Sequence, residues 1–217
     1  APVFSAHMHL PAAVARGAIL LTLACAAALF WHWPPRPVNA LFLDRTITGR
    51  LIIGRDVRVE ASDCIIDALQ DAGVALAASE DGKTAAGSFR AVRTTVIGSV
   101  HVQDIELDDN SLFTGLGTSE QKQNGCVRFS YLPLESGVPR RYRCQPDFAI
   151  TQAVEDAMRR NPNAPPAELD RIAAAIRSSL RPDFTSRQFV HPGYMQLHAS
   201  CPVEIRTGAD DGSEMGV

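Results

Sequence analysis

The sequence predicts a mainly β chain: a right-handed parallel β-helix with coils of about 20 residues and C-terminal helices packed on it. Two stretches of the chain repeat one another, apolar and polar residues alternate within each stretch, and no helical periodicity falls between the short strands.

The repeat sets Arg45–Ile53 beside Thr94–Val102. Gly49 falls on Gly98, Ile47 on Val96, Leu51 on Val100 and Ile53 on Val102. Downstream, Asp56-Val57-Arg58-Val59 matches Asp104-Ile105-Glu106-Leu107, and Ser62-Asp63-Cys64-Ile65-Ile66 matches Asn110-Ser111-Leu112-Phe113-Thr114. Within each copy the alternation is that of half-buried strands, with Gly49, Asp56, Gly98 and Asp104 as turn residues between them. Apolar anchors near Ile47, Ile66, Val96 and Phe113 recur at about 18–20 residues, apart from one longer gap. That gap holds Glu80-Asp81-Gly82-Lys83 and Ala86-Gly87-Ser88, a loop insertion. The period is too short for propeller blades, and the asparagine ladder of leucine-rich repeats is missing. A stack in which each coil buries its inward residues against its neighbours fits best.

Beyond Gly115 the pattern changes. Cys126–Leu132 still reads as a strand, Pro133, Gly137 and Pro139 break the chain, and Arg140–Cys144 is a further extended piece. Asp147 opens a helix carrying Phe148, Ile150, Val154, Ala157 and Met158 at helical spacing. Pro165-Pro166 opens a second, with Leu169, Ile172, Ala173, Ile176 and Leu180 on one face. These helices are expected to cover the end or flank of the stack, and the tail from Arg181 reads as irregular. Three regions follow: an apolar N-terminal segment over 1–42, the β-helix over 43–146, and a helical and irregular C-terminal region over 147–217.

Four further stretches carry a resemblance: Gln123–Tyr131, Pro139–Pro146, Pro192–Leu197 and Gly208–Gly216. In them the chain resembles a family of uncharacterised bacterial right-handed parallel β-helix proteins, often encoded near genes for contractile phage-tail-like particles. The likeness spans about residues 43–217 and implies a structural or accessory role in a larger protein assembly. It brings no catalytic residues with it. Family members run on past the position of Val217, so the C-terminus is read as truncated, as is the start.

Composition bounds the function. Hydrophobic residues make up 46% and charged residues 21%, with a formal net charge of −3, so no basic face points to nucleic acid. Aromatic residues are only 6%, which makes the core aliphatic. Cys25, Cys64, Cys126, Cys144 and Cys201 are odd in number, widely spaced and without a C-x-x-C pair, so they read as reduced thiols, mostly buried. Gly17–Trp33 is apolar and free of Asp, Glu, Lys and Arg. It stays open between a signal segment, a membrane anchor and a buried core piece. The compartment follows from that choice: cytoplasmic is favoured, exported if the run is a true signal.

Two sets of residues are candidates for chemistry. Many parallel β-helices cleave polysaccharides, and a glycosidase needs two flanking carboxyl groups. Asp63 with Asp67, and Asp108 with Asp109, are the available acids, and turn formation at coil corners is the competing reading. Arg128, Arg140, Arg141 and Arg143, with Phe129, Tyr131 and Tyr142, form the densest basic and aromatic cluster. Strand alternation puts Arg141 and Arg143 on one exposed face, where they would meet an acidic partner or a phosphate group, with Tyr142 and Cys144 opposite; local salt bridges to nearby Asp and Glu are the competing reading. Asp210–Glu214 reads as an acidic turn and His7-Met8-His9 as an exposed terminus, so no metal or cofactor is expected. The leading expectation is a non-enzymatic component with protein partners, and the alternative is a polysaccharide-cleaving or glycan-binding protein.

Overall fold

The computed structural model describes residues 39–217. Strands come in triplets along the chain. β1 (Asn39–Asp44), β2 (Ile47–Gly49) and β3 (Leu51–Ile52) make the first, and β4 (Val57–Ser62), β5 (Ile65–Asp67) and β6 (Val74–Ala77) the second. β7 (Phe89–Val92), β8 (Thr95–Ile97) and β9 (Ser99–Val102) make the third, and β10 (Ile105–Asp109), β11 (Leu112–Phe113) and β12 (Gly117–Ser119) the fourth. β13 (Cys126–Arg128) and β14 (Arg140–Tyr142) follow. The first members stack as β1-β4-β7-β10-β13-β14, the second as β11-β8-β5-β2 and the third as β12-β9-β6-β3. Pairing between neighbours in these three sheets is parallel throughout. The chain thus visits three sheets in rotation.

Short strands hold because each buries one face against the same core. Val59, Phe89 and Ile105 stack in register on the first sheet, and Ile66, Val96 and Phe113 on the second, all essentially sealed from solvent. A fully buried side chain of this size contributes roughly 1.5–3 kcal/mol. Three of the four predicted anchors therefore do stack, and Ile47 is the exception: it pairs with Ile65, one place off, and is half exposed.

The sequence alignment slips in two places, and the sheets carry two β-bulges. Leu51 reaches Val100 through Leu76 as expected, but β6 and β9 shift register between Val74 and Leu76. Ile47 meets Thr95 through Ile65, not Val96. In the first sheet Val59, not Val57, lies in line with Ile105, and the register then shifts by one residue between Ile105 and Leu107. An extra residue on one strand moves every later pair. Just before β9, opposite the bulged strand β6, Gly98 has φ +114, and a Cβ on Gly115 would lie 2.3 Å from the Gly98 carbonyl carbon, so these main chains touch where only glycine fits. The predicted insertion is present as the connection between β6 and β7, closed by Ala78 N–H donating to Thr84 O at 2.8 Å and Asp81 accepting from Ser79 Oγ at 2.6 Å.

The C-terminal region has α1 (Asp147–Arg160), α2 (Pro166–Ser179) and a single turn α3 (Val203–Arg206). Pro166 stands in the first turn of α2, and acidic Glu168 follows it. α1 and α2 pack on each other and stay largely exposed: Ala157 is the one buried residue of α1, and α2 has none. Covering falls instead to the irregular tail. Met195, with Phe184 and Tyr194 beside it, packs on Ile65 and Ile97 of the second sheet, while Cys201, Ile205 and Met215 pack on Leu112 and Tyr131. Val217 N–H donates to Thr95 Oγ1 and Gly216 N–H to Asn110 O, at 3.1 and 2.8 Å. The expected flank is covered, but by a segment with no periodicity.

Of the cysteines, Cys64, Cys144 and Cys201 are buried free thiols and Cys126 is half-buried. Burial pushes the Cys144 thiol up to about 12. Cys25, the apolar run Gly17–Trp33 and His7-Met8-His9 lie outside the described residues. Among the described residues no helix is long and apolar enough to cross a membrane.

Candidate functional site

The corner between the first and second sheets is built from one three-residue device used six times. Its middle residue has a positive φ: Arg45 (47), Asp63 (53), Arg93 (44), Asn110 (54), Phe129 (48) and Arg143 (50). The next residue is always Thr, Ser or Cys, and its side chain donates back to the carbonyl two residues earlier. Thr46, Cys64, Thr94, Ser111, Ser130 and Cys144 do so at 2.9, 3.1, 3.0, 3.1, 2.8 and 3.6 Å. In the first five the middle residue's N–H donates to the neighbouring turn of chain, as Asp63 does to Val92 O at 3.0 Å and Arg93 to Asp109 O at 2.9 Å. The left-handed bend costs about 1–2 kcal/mol for a residue with a Cβ, and these paired bonds hold it. Sequence reading missed this column. Its signal was the recurrence of Thr, Cys or Ser one place after the residues that sit at the bend.

All four candidate carboxylates are tied into this framework. Asp63 receives Arg93 Nε and Nη2 at 2.6 and 2.8 Å, and this guanidinium holds its carboxyl below the usual range. Asp109 receives Arg128 Nε and Nη2 at 2.9 and 2.8 Å. Asp67 is buried and accepts from Leu69 N–H and Tyr194 Oη, both at 2.6 Å. Asp108 is wholly buried, in register with Ala91 on one side and Val127 on the other, and neither oxygen has a hydrogen-bond partner. Burial pushes its carboxyl up to about 7, and the nearby Ser111 and Ser130 hydroxyls draw it only partway back. Both hydroxyls are committed to main chain. Ser111 Oγ accepts from Thr94 N–H at 3.2 Å and donates to Asp109 O, and Ser130 Oγ accepts from Ser111 N–H at 3.0 Å and donates to Arg128 O. We treat Asp108 as unpartnered. A shifted pKa often marks a site, yet nothing from solvent reaches this carboxyl. The four acids do not meet in a cleft.

The basic cluster divides. Arg140, Tyr142 and Arg143 are exposed around β14, the last strand of its sheet, and Arg128 is exposed while bound to Asp109. Arg143 lies over the Tyr142 and Phe148 rings, 5.9 and 5.5 Å from their centroids, and Phe129 meets Tyr142 edge to face at 5.6 Å. Arg141 departs from expectation. Its side chain is only 16% exposed and turns inward, in register with Val127. It bonds Asp147 at 2.7 Å and donates to the carbonyls of Pro133, Leu134 and Ser136 at 3.3, 3.3 and 2.8 Å. Strand alternation fails here because the left-handed bend at Arg143 breaks the period of two, so Arg141 and Arg143 do not share a face. Arg141 ties the chain before β14 to the start of α1. Tyr131 lies apart from the cluster, buried beneath the tail.

A second feature went unread in the sequence. A cavity of about 460 Å³ opens between the strand stack and the C-terminal region, with Tyr131, Glu135, Arg177, Arg181 and Phe184 in its lining. At one side Asp71 holds Arg187, which lies 5.7 Å from the Phe184 ring centroid and keeps the Asp71 carboxyl below its usual range. The available signal was two arginines four apart at the end of a helix with no acid at matching spacing. Among the described residues no cluster of His, Cys, Asp and Glu could hold a metal. Asp210 and Asp211 are used locally, by Asn110 Nδ2 at 2.9 Å and Ser213 N–H at 2.9 Å. Comparison with family models, curated proteins and solved structures finds no match.

Proposed function

We propose that the chain is a right-handed parallel β-helix that serves as a non-enzymatic structural or accessory component of a larger protein assembly, of the contractile phage-tail-like kind. Strands visiting three parallel sheets in rotation support the coil reading. The observation that carries the role is a contrast at the surface. Every carboxylate that could have done glycosidase work is consumed by an arginine, buried, or bonded to the tail. The Arg140, Tyr142 and Arg143 side chains, by contrast, are exposed beside the last strand, and neither arginine makes an ion pair among the described residues. Arginine and tyrosine dominate the energetics of protein interfaces, and a terminal strand can pair with another chain.

The test is affinity capture from the host with tagged full-length chain, followed by mass spectrometry, alongside the double variant Arg140→Glu, Arg143→Glu. Both residues are exposed, so circular dichroism should not change. Sheath, tube or baseplate-type proteins should come with the wild type and be lost with the variant. Capture of none of these, or capture the variant leaves intact, removes the reading. Arg141 is excluded from this test because its substitution would disturb the fold.

A further inference from the structure

We infer that the cavity beside Tyr131 is a binding site for an acidic saccharide, taking one uronic-acid unit with its carboxylate on Arg177 and Arg181. This goes beyond the assembly role and does not depend on it. The volume of about 460 Å³ lies within the range of small-molecule sites and is several times that of a bare phosphate. Arg177 is in the last turn of α2 and Arg181 is four residues on, and neither makes an ion pair or side-chain hydrogen bond among the described residues. The helix ends at Ser179, so Arg181 stands beyond it, and the two cations meet only as unpaired groups lining one cavity, where an anion would find both. Guanidinium groups suit a carboxylate because their paired N–H groups match its two oxygens.

The rest of the lining selects against a simple inorganic anion. Glu135 opposes a second negative charge but accepts hydrogen bonds from sugar hydroxyls. The Tyr131 ring is buried while its hydroxyl forms no hydrogen bond with the described residues, which leaves a donor and acceptor at the cavity. Phe184 and Pro182 offer an apolar wall for the C–H face of a pyranose ring. Asp71 adds no free charge because Arg187 holds it, and Asp183, also in the lining, accepts from Ser200 Oγ at 2.6 Å with His198 3.7 Å away. The groups at the cavity are thus two unpaired cations, the acids Glu135 and Asp183, a phenol and an apolar wall. A singly charged sugar rich in hydroxyls answers each of them.

The experiment is titration calorimetry on the full-length chain with trisaccharides of galacturonate, glucuronate and mannuronate, against maltotriose and inorganic phosphate. At least one uronate should bind with millimolar affinity or better, maltotriose should not, and Arg177→Ala and Arg181→Ala should each weaken the uronate about tenfold or more. Both arginines are exposed, so the variants should keep the wild-type circular dichroism; Arg181→Lys, which keeps charge but loses the paired geometry, gives a milder second reading. The proposal is overturned if no uronate binds, if neither substitution weakens binding, or if phosphate binds as tightly. The Arg140→Glu, Arg143→Glu variant should bind the uronate as the wild type does, which separates this site from the assembly face.

Discussion

The corner joining the first sheet to the second and the connection returning from the third sheet to the first do opposite jobs. The corner repeats one bend six times, always with a positive φ and a hydroxyl or thiol turned back to the main chain. The return connections share nothing. They run over 53–56, 78–88, 103–104 and 120–125, and are held by outward side-chain contacts such as Arg55 to Glu120 at 2.7 Å, Ser88 to Asp104 at 2.7 Å and Asn124 to Asp104 at 3.2 Å. Register is kept where buried main-chain groups must be satisfied turn after turn. Length and surface are free to vary where water can substitute for any lost partner.

The largest expected effect breaks the corner. In Ser111→Val the hydroxyl that accepts from Thr94 N–H and donates to Asp109 O disappears from a fully buried position. Asp109 O keeps its bond from Arg93 N–H, so Thr94 N–H alone is orphaned; an orphaned buried group costs about 1–3 kcal/mol, and a loss toward the upper end of that range is expected. Arg55→Ala, which cuts an exposed pair in a return connection, should cost at most about 1 kcal/mol. Urea denaturation of both reads the difference. Equal losses would mean that the corner holds register no more firmly than the surface does.

Next in size is the one fault in the column beside that corner. Asp108 is ionisable, sealed and unpartnered among Ala91 and Val127. Its folded pKa of about 7 lies above the ordinary 3.8. Between those values the folded chain holds a proton that the unfolded chain has released, so stability is full below about pH 4 and declines as pH rises to about 7. Asp108→Asn removes the charge and should flatten that decline, with little change at pH 4 and a gain on the order of 2 kcal/mol at pH 8. Thermal melts across that range test it. A wild-type profile already flat from pH 4 to 8 would show that Asp108 does not hold its proton on folding.

The same contrast explains what the sequence disclosed. Ile66, Val96 and Phe113 were legible as stacked anchors because burial forces apolar side chains to recur with the period of the sheets. The slips at Ile47 and Val57 were not, because Ile65 stands beside Ile66 and Val57 two places from Val59, so apolar residues are present at both candidate registers. Arg141 was misplaced for a related reason: alternation assumes extended backbone, and Arg143 is left-handed. Tyr194 on Asp67 joins residues 127 apart through a tail without periodicity, and the cavity lined by Tyr131 and Arg181 lies under that same tail. Local pattern cannot specify contacts of that range.

The smallest expected effect sharpens the comparison from the corner's own chemistry. Arg45 opens the column with φ 47, a bend that disfavours a long side chain and tolerates asparagine. Its ion pair with Asp44 is exposed on both sides, at 79% and 63%, so little is lost when it goes. Asn110 already occupies the equivalent place three bends later. Arg45→Asn should therefore raise the urea midpoint at unchanged slope, corresponding to a gain of about 0.5 kcal/mol. A lowered midpoint would show that the arginine, and not the bend, is what this position requires. A raised one would mean that the left-handed backbone at the bend, and not the exposed ion pair, sets which side chain this corner prefers.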